Sequence, residues 1–423
     1  MIYSDDYRSG WEWGFRQLGC EVEVFDISVL RRSGGMVSSP YRTNLPRLAT
    51  KGLADQISAW NPDLVWCHHG RAAAADGFID YLRRRGGATV AVYLCDEPYE
   101  CGETLLFSKF FDYVFTLDPC TIAAHQTARG NVTDHVFYLP AAANTEHFRP
   151  LPYEPRTLPA LFLGNAELTP RPSWLDPVER AIPGSKILYR SEVRLGRRVP
   201  VAKGAETWIP YQDHPALYGS CVVGLNVHRS PWITEQCLQT RVINRPNNKP
   251  TPPGAVLCRQ PAEYGTGFWN DLNLPAAHVN PRFFEMSACG TLVVSDDSRF
   301  ELARMFPMAP RAATPERFLE LASYYLEHRD EAEMIGATCS MLVSKRHSFR
   351  HRAAEVLVRA GLRDAAQVAQ SCYLGPPEDW LTTQQFGWLK DASASDLTGP
   401  FDTWSPALGM SLTQTFGAAN ADI

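Results

Sequence analysis

Hydrophobic and polar positions along this chain fall into short apolar runs separated by stretches of helical period. Residues 21–26 (Glu-Val-Glu-Val-Phe-Asp) alternate at a period of two and predict a strand. Residues 63–67, 88–94, 113–117 and 136–139 are short, mostly apolar and bounded by turn residues, as expected for strands covered on both faces. A short opening strand is expected at 1–4, and helices at 7–18, 53–60, 77–85, 103–110 and 121–129. Residues 31–49, rich in Gly, Ser, Pro and Arg, predict a loop. Residues 141–159 carry four prolines and no clear period, which places a domain linker there. The pattern then restarts, with strands at 160–163, 186–189, 221–227 and 291–295. Helices are expected at 174–182, 213–219, 280–290, 314–327, 330–342, 349–360 and 371–390. Strands alternating with helices imply parallel sheets with right-handed crossovers. The fold class is therefore α/β, with two tandem doubly wound domains at 1–150 and 156–368 facing a central cleft. A Pro- and Asn-rich insertion occupies 233–273, and 369–423 forms a C-terminal helix and tail expected to return to the first domain.

The stretch that organises the second domain is Asn280-Pro-Arg-Phe-Phe-Glu-Met-Ser-Ala-Cys-Gly290, followed by an apolar, β-branched run. Asn280 suits an N-cap, Pro281 the first helical position and Gly290 the helix end. A helix start offers unpaired N–H groups and the positive end of a dipole, and Arg282 adds charge, so the site suits a phosphate. Glu285 lies one turn on, beside Phe283, Phe284 and Met286, either as a satisfied structural carboxylate or as a ligand for hydroxyls. In doubly wound sheets, ligands sit beyond the carboxyl ends of the strands. Those ends carry His68-His69 and Asp96-Glu97 in the first domain. Imidazole and carboxylate delivered to one sheet edge can position a base against a hydroxyl, although His68 also suits a packed core position. In the second domain the strand ends carry Gly164-Asn165, Arg190 and Asn226-Val-His228-Arg229. Arg229 offers the forked geometry that suits phosphate, and Gly164 lets a ligand approach the backbone.

Composition removes other classes. Of 423 residues, 45% are hydrophobic and 21% charged, enough to build two cores. The net charge of −5 gives no general attraction to nucleic acid or anionic membrane. No apolar run approaches a membrane span, and the first residues lack the basic start and apolar core of a signal peptide. Eleven cysteines without a Cys-x-x-Cys pair suit small buried hydrophobes in a reducing cytoplasm, the expected location. Gly-x-Gly-x-x-Gly, Walker, Gly-x-Ser-x-Gly and His-Glu-x-x-His motifs are all missing, and so is Asp-x-Asp. No metal cofactor is therefore expected at a bound diphosphate; helix dipole and arginine carry the neutralisation.

Several segments together resemble the CgeB-like (spore-maturation) glycosyltransferases of the GT-B superfamily, whose two domains are Rossmann-like. They are Pro62-Asp-Leu-Val65, Asp96-Glu-Pro98, Gly224-Leu-Asn-Val-His-Arg229, Asn280–Gly290 and His347-Ser-Phe-Arg-His-Arg352. The similarity spans roughly residues 60–360. It implies a metal-independent transfer of a sugar from a nucleotide-sugar donor, a UDP-sugar, to a hydroxyl acceptor. It further implies that Glu285 bonds the donor ribose and that the helix start and Arg229 face the diphosphate. Gly164, Asn165, Arg190, Asn226, His228, Asn280, Arg282 and Phe283 complete the expected donor site. His68, His69 and Asp96 are the expected catalytic groups. Many retaining relatives carry a second glutamate eight positions before the first, where this chain has Ala277, so that sugar contact is not inherited. A nucleotide-sugar epimerase or a non-catalytic nucleotide-sugar sensor fits the same outline. The insertion, with Arg241, Arg245, Lys249 and Arg259, admits a protein, glycan, small-molecule or hydroxymethylated nucleic-acid acceptor.

Overall fold

The computed structural model describes residues 2–3, 8–26, 47–68, 78–130, 135–151, 155–164, 170–188, 191–194, 197–200, 209–230 and 274–362. His69, Asn165, Arg190, the 233–273 insertion and the region from 369 lie outside the described residues. In the first domain the chain runs β1 (Ile2–Tyr3), α1 (Arg8–Arg16), β2 (Phe25–Asp26), α2 (Arg47–Trp60), β3 (Leu64–His68) and α3 (Phe78–Gly86). It continues through β4 (Thr89–Leu94), α4 (Cys101–Ser108), β5 (Tyr113–Thr116), α5 (Ile122–Arg129) and β6 (Val136–Tyr138). These strands form a six-stranded sheet in the order β2-β1-β3-β4-β5-β6, with parallel pairing throughout. Strands β3, β4 and β5 each start half-buried and are buried thereafter, which is why their sequences read as apolar runs.

In the second domain come β7 (Leu158–Leu163), α6 (Arg171–Ala181), β8 (Lys186–Leu188), β9 (Ser191–Arg194), β10 (Arg197–Pro200), α7 (His214–Gly219) and β11 (Cys221–Asn226). Then follow α8 (Pro281–Ala288), β12 (Leu292–Asp296), α9 (Phe300–Met305), β13 (Arg311–Ala312), α10 (Pro315–Glu327), α11 (Arg329–Arg346) and α12 (Phe349–Arg359). The five-stranded sheet has the order β13-β12-β11-β7-β8 and is also parallel. Sequence order reverses between β7 and β11, which makes the crevice beyond their carboxyl ends the natural ligand position. The expected pair of doubly wound, parallel α/β sheets is present.

Several boundaries differ from expectation for identifiable reasons. Among the described residues, the strand expected at 21–26 pairs at Phe25 and Asp26, opposite Ile2 and Tyr3 of β1. The loop expected at 31–49 gives way to α2 at Arg47, just after Pro46, a residue suited to helix entry. The antiparallel hairpin β9–β10 and the short helix α9 were not legible as elements.

Within the described residues, α12 packs back on the first domain against α1. A side chain on Gly14 of α1 would place its first carbon 2.5 Å from the Phe349 carbonyl oxygen, so the two helices meet backbone to backbone there. Trp11 stacks its edge on Phe349 at 5.1 Å and lies 4.6 Å from Trp66, joining α12 to the aromatic core under β3. Arg352, 1% exposed, donates to the carbonyls of Pro140 (2.8 Å) and Ala141 (2.9 Å) and fixes the interdomain segment. Within the second domain, α11 presses on the turn between α8 and β12. A methyl on Gly336 would run into the Gly290 carbonyl oxygen and sit 3.0 Å from the Leu292 nitrogen. Gly336→Ala is therefore expected to destabilise the fold by about 1–3 kcal/mol, despite alanine's better helix propensity. Guanidinium denaturation of the two proteins checks this, and an unchanged or raised midpoint refutes it.

Candidate active site

The start of α8 is built from below by a histidine–carboxylate pair. His228, just past β11, donates from Nδ1 to Asp296 Oδ1 at 2.7 Å, and its backbone N–H meets the same oxygen at 2.8 Å. Burial pushes the His228 ring down to about 4 despite the Asp296 carboxylate, so the imidazole is neutral. Burial would raise Asp296, but His228, Arg299 and the Ser298 hydroxyl hold it well below the usual carboxylate range. With Nδ1–H committed, His228 Nε2 accepts the Asn280 backbone N–H at 3.3 Å. Asn280 was expected to cap α8 with its side chain. Instead its Nδ2 donates to Asn226 Oδ1 at 3.1 Å, while Asn226 Nδ2 donates to Ser295 Oγ at 2.8 Å. The pull of the Asn226 ladder wins, and the Asn280 side chain takes up none of the first-turn N–H groups of α8. Phe283, expected among the donor contacts, is fully buried with its ring 4.8 Å from that of Phe306.

Around this helix start three arginines converge. Arg282 Nη1 lies 3.6 Å from where a side chain on Gly164 would begin, so the glycine ending β7 leaves that approach open. Arg171, the first residue of α6, is buried and donates from Nε to the Val227 carbonyl at 2.8 Å. Burial, with the like charges of Arg282 and Arg229 nearby, brings Arg171 down to about 9. Arg229 lies 3.5 Å over the Tyr99 ring, and its Nη2 is 3.4 Å from Asp96 Oδ1. Thus the β4 end of one domain meets the β11 end of the other. Arg299 braces the contact by donating to the Arg229 carbonyl (2.7 Å) and the Tyr99 hydroxyl (2.9 Å).

Glu285 sits one turn inside α8, 4% exposed, and accepts the Tyr218 hydroxyl on Oε2 at 3.2 Å. Burial outweighs Arg282 and Tyr218 and lifts its carboxyl to about 7. On the opposite wall the Asp96 side chain is 40% exposed. His68 is buried at the end of β3, its ring 5.7 Å from Tyr93. Glu97 is turned away into the first domain and fully buried. Asp118, after β5, reaches across to accept the N–H of Ala277 (2.8 Å), the N–H of His278 (3.2 Å) and His278 Nδ1 (2.8 Å).

The structure therefore brings together Gly164, Asn226, His228, Arg229, Asn280, Arg282, Glu285 and Asp96 from the expected set. Sequence reasoning missed Arg171, Tyr99, Asp118, Tyr218, His278 and Arg299. A signal existed for Arg171, which follows Pro170 at a helix start beyond the Gly164 strand.

Residues 267–358 match the family model described as "Glycosyl transferase-like". No curated protein matches the chain in sequence. Among solved structures, HepE of Anabaena in complex with UDP and glucose aligns at 11% identity over 84% of this chain and 91% of its own, TM-score 0.48. Sucrose-phosphate synthase of Thermosynechococcus elongatus aligns at 12% identity over 75% and 79%, TM-score 0.45. An E. coli structure named for trehalose-6-phosphate, bound with UDP-2-fluoro glucose, aligns at 11% identity over 89% and 99%, TM-score 0.47. The family match includes α8, β12 and the His278–Glu285 stretch of the candidate site.

Proposed function

We propose that the protein transfers a sugar from a nucleotide-sugar donor, a UDP-sugar, to a hydroxyl acceptor, as a glycosyltransferase of the CgeB-like kind. The observation that carries this reading is the meeting of Arg171, Arg229 and Arg282 at the start of α8, in the crevice between β7 and β11. Three cations held close enough to repel one another attract an anion, and a diphosphate supplies the charge. Glu285, a turn away, takes hydroxyls of the ribose. Bond breaking leaves the nucleoside diphosphate with added negative charge, and donors already aimed at it lower the barrier without reorganisation. No divalent metal takes part in the transfer, so turnover is the same with and without added Mg²⁺ or Mn²⁺. Asp96 is paired with Arg229 across the contact between the domains. A diphosphate that draws Arg229 away frees the carboxylate to take the acceptor proton.

Calorimetric titration with UDP, GDP, ADP and their sugars tests the proposal. One nucleotide class is expected to bind, and Arg282→Ala to weaken it about 10- to 100-fold, the worth of one charge-assisted hydrogen bond. Failure of every nucleoside diphosphate to bind at millimolar concentration overturns it.

A further inference from the structure

The core of the first domain holds a second group of chemically competent side chains, remote from the arginine cluster in character and independent of it. Glu97, Cys101 and His125 are all 0% exposed. His125 Nε2 is 3.2 Å from Glu97 Oε1 and 4.0 Å from Cys101 Sγ, and the three ligand atoms lie within 4.8 Å of one another. Glu97 Oε2 is buried and has no hydrogen-bond partner among the described residues, while Oε1 accepts the Thr104 hydroxyl. From these facts we infer that Glu97, Cys101 and His125 form a three-ligand binding site for a zinc ion.

The dimensions fit. Zinc bonds of about 2.3 Å to sulfur and about 2.0–2.2 Å to nitrogen and carboxylate oxygen set neighbouring ligands roughly 3.3–3.6 Å apart at tetrahedral angles. The His125–Glu97 separation of 3.2 Å is already near that range, and the His125–Cys101 separation of 4.0 Å needs a contraction of a few tenths of an ångström. The outer contacts fit as well. Ser108 Oγ lies 3.0 Å from His125 Nδ1, so an Nδ1–H given to Ser108 leaves Nε2 with the lone pair a metal requires. Charge balance favours zinc over the harder divalent ions. A thiolate, a carboxylate and a neutral imidazole neutralise a doubly charged cation in a site closed to solvent, and the sulfur ligand selects against Mg²⁺ and Ca²⁺. Binding moves the Cys101 thiol proton to water, and the freed sulfur pair forms the metal bond. The ligands come from the β4–α4 turn, the first residue of α4 and the middle of α5, so the ion ties together the layer behind Asp96 and Tyr99.

The test uses the full chain. Protein stripped with chelator and reconstituted with ZnCl₂, then dialysed, is expected to retain a stoichiometric zinc by elemental analysis. Cys101→Ser is expected to lose it while keeping the wild-type circular dichroism spectrum. Cobalt(II) in place of zinc is expected to give a thiolate-to-cobalt charge-transfer band in the wild type, a readout that needs no variant. Zinc is also expected to raise the thermal midpoint of the wild type and leave that of Cys101→Ser unmoved. A wild type that holds no zinc and shows no cobalt band overturns the inference and leaves a buried imidazole–carboxylate pair. Equal retention by Cys101→Ser overturns the site assignment. Either failure leaves nucleotide binding by the second domain untouched.

Discussion

Asp118→Ala is expected to destabilise the protein by about 3–5 kcal/mol, the cost of removing one side of a buried charged network. Asp118 is fully buried between the domains, and four N–H groups converge on it: Cys120 N at 2.9 Å, Ala277 N, His278 N and His278 Nδ1. Burial alone would raise its carboxyl. The His278 hydrogen bond and the N–H groups of Cys120 and Ala277 outweigh it, and the carboxyl titrates below its ordinary value. Burial meanwhile lowers His278 despite its partner, so the pair is a carboxylate receiving a neutral imidazole N–H. Alanine leaves those donors facing a void, and each unpaired buried group costs on the order of 1–3 kcal/mol before relaxation. Because three of the four donors belong to the second domain, the loss falls on the contact that aligns the two strand-end walls. Guanidinium denaturation measures the first effect; susceptibility of the 141–159 segment to protease measures the second. A loss below about 1 kcal/mol, within the usual range of a surface substitution, contradicts this account. Asp118→Asn, which keeps one acceptor, is expected to fall between the two.

How much of this could be read from the chain depends on where each interaction lives. The helix α8 and strand β12 were legible because their signals are local: Pro281 at the first position, Gly290 at the helix end, and an apolar run directly after it. The strand ends were legible for the same reason, and with them Gly164, Arg229 and Asp96. What was not legible is long-range. Nothing near Asn280 announces that its side chain will answer Asn226, 54 residues away, rather than its own helix. Asp118 reads as an ordinary turn residue before Pro119. Its clamp on Ala277 and His278 exists only once the two sheets face each other. Glu97 and Asp96 look interchangeable in sequence, yet in the turn after β4 the first is fully buried and the second reaches the opposite domain. Arg171 is in the same position: the helix start is visible, but its convergence with Arg229 and Arg282 is a property of the assembled crevice.

Glu285→Gln is expected to stabilise the ligand-free protein at pH 8 and to weaken its nucleotide binding about 10- to 100-fold. The sign follows from the raised carboxyl. The unfolded chain releases the Glu285 proton near pH 4.5 and the folded chain at about 7. Between those values the native state holds more protons, so this group's contribution to stability falls as pH rises from 4.5 to 7 and is constant above. The full span is worth roughly 3 kcal/mol, an upper figure because the unfolded chain and local relaxation absorb part of it. Glutamine removes the charge but keeps the shape, so the variant gains most of that at pH 8 and little at pH 5. A buried carboxylate held at such a cost has a compensating use only when a ligand supplies hydroxyl donors to it. Nucleotide affinity in the wild type is therefore expected to be flat above pH 7 and to fall by up to about tenfold per unit below it, as protonation replaces the charged acceptor with a weaker neutral one. Denaturant melts and calorimetric titrations across pH 5–8 read both effects on the same pair of proteins. If Glu285→Gln binds nucleotide as the wild type does, the carboxylate is structural. If it gains no stability at pH 8, the carboxyl is not held ionised against its surroundings, and the reason for placing it opposite a ribose is gone.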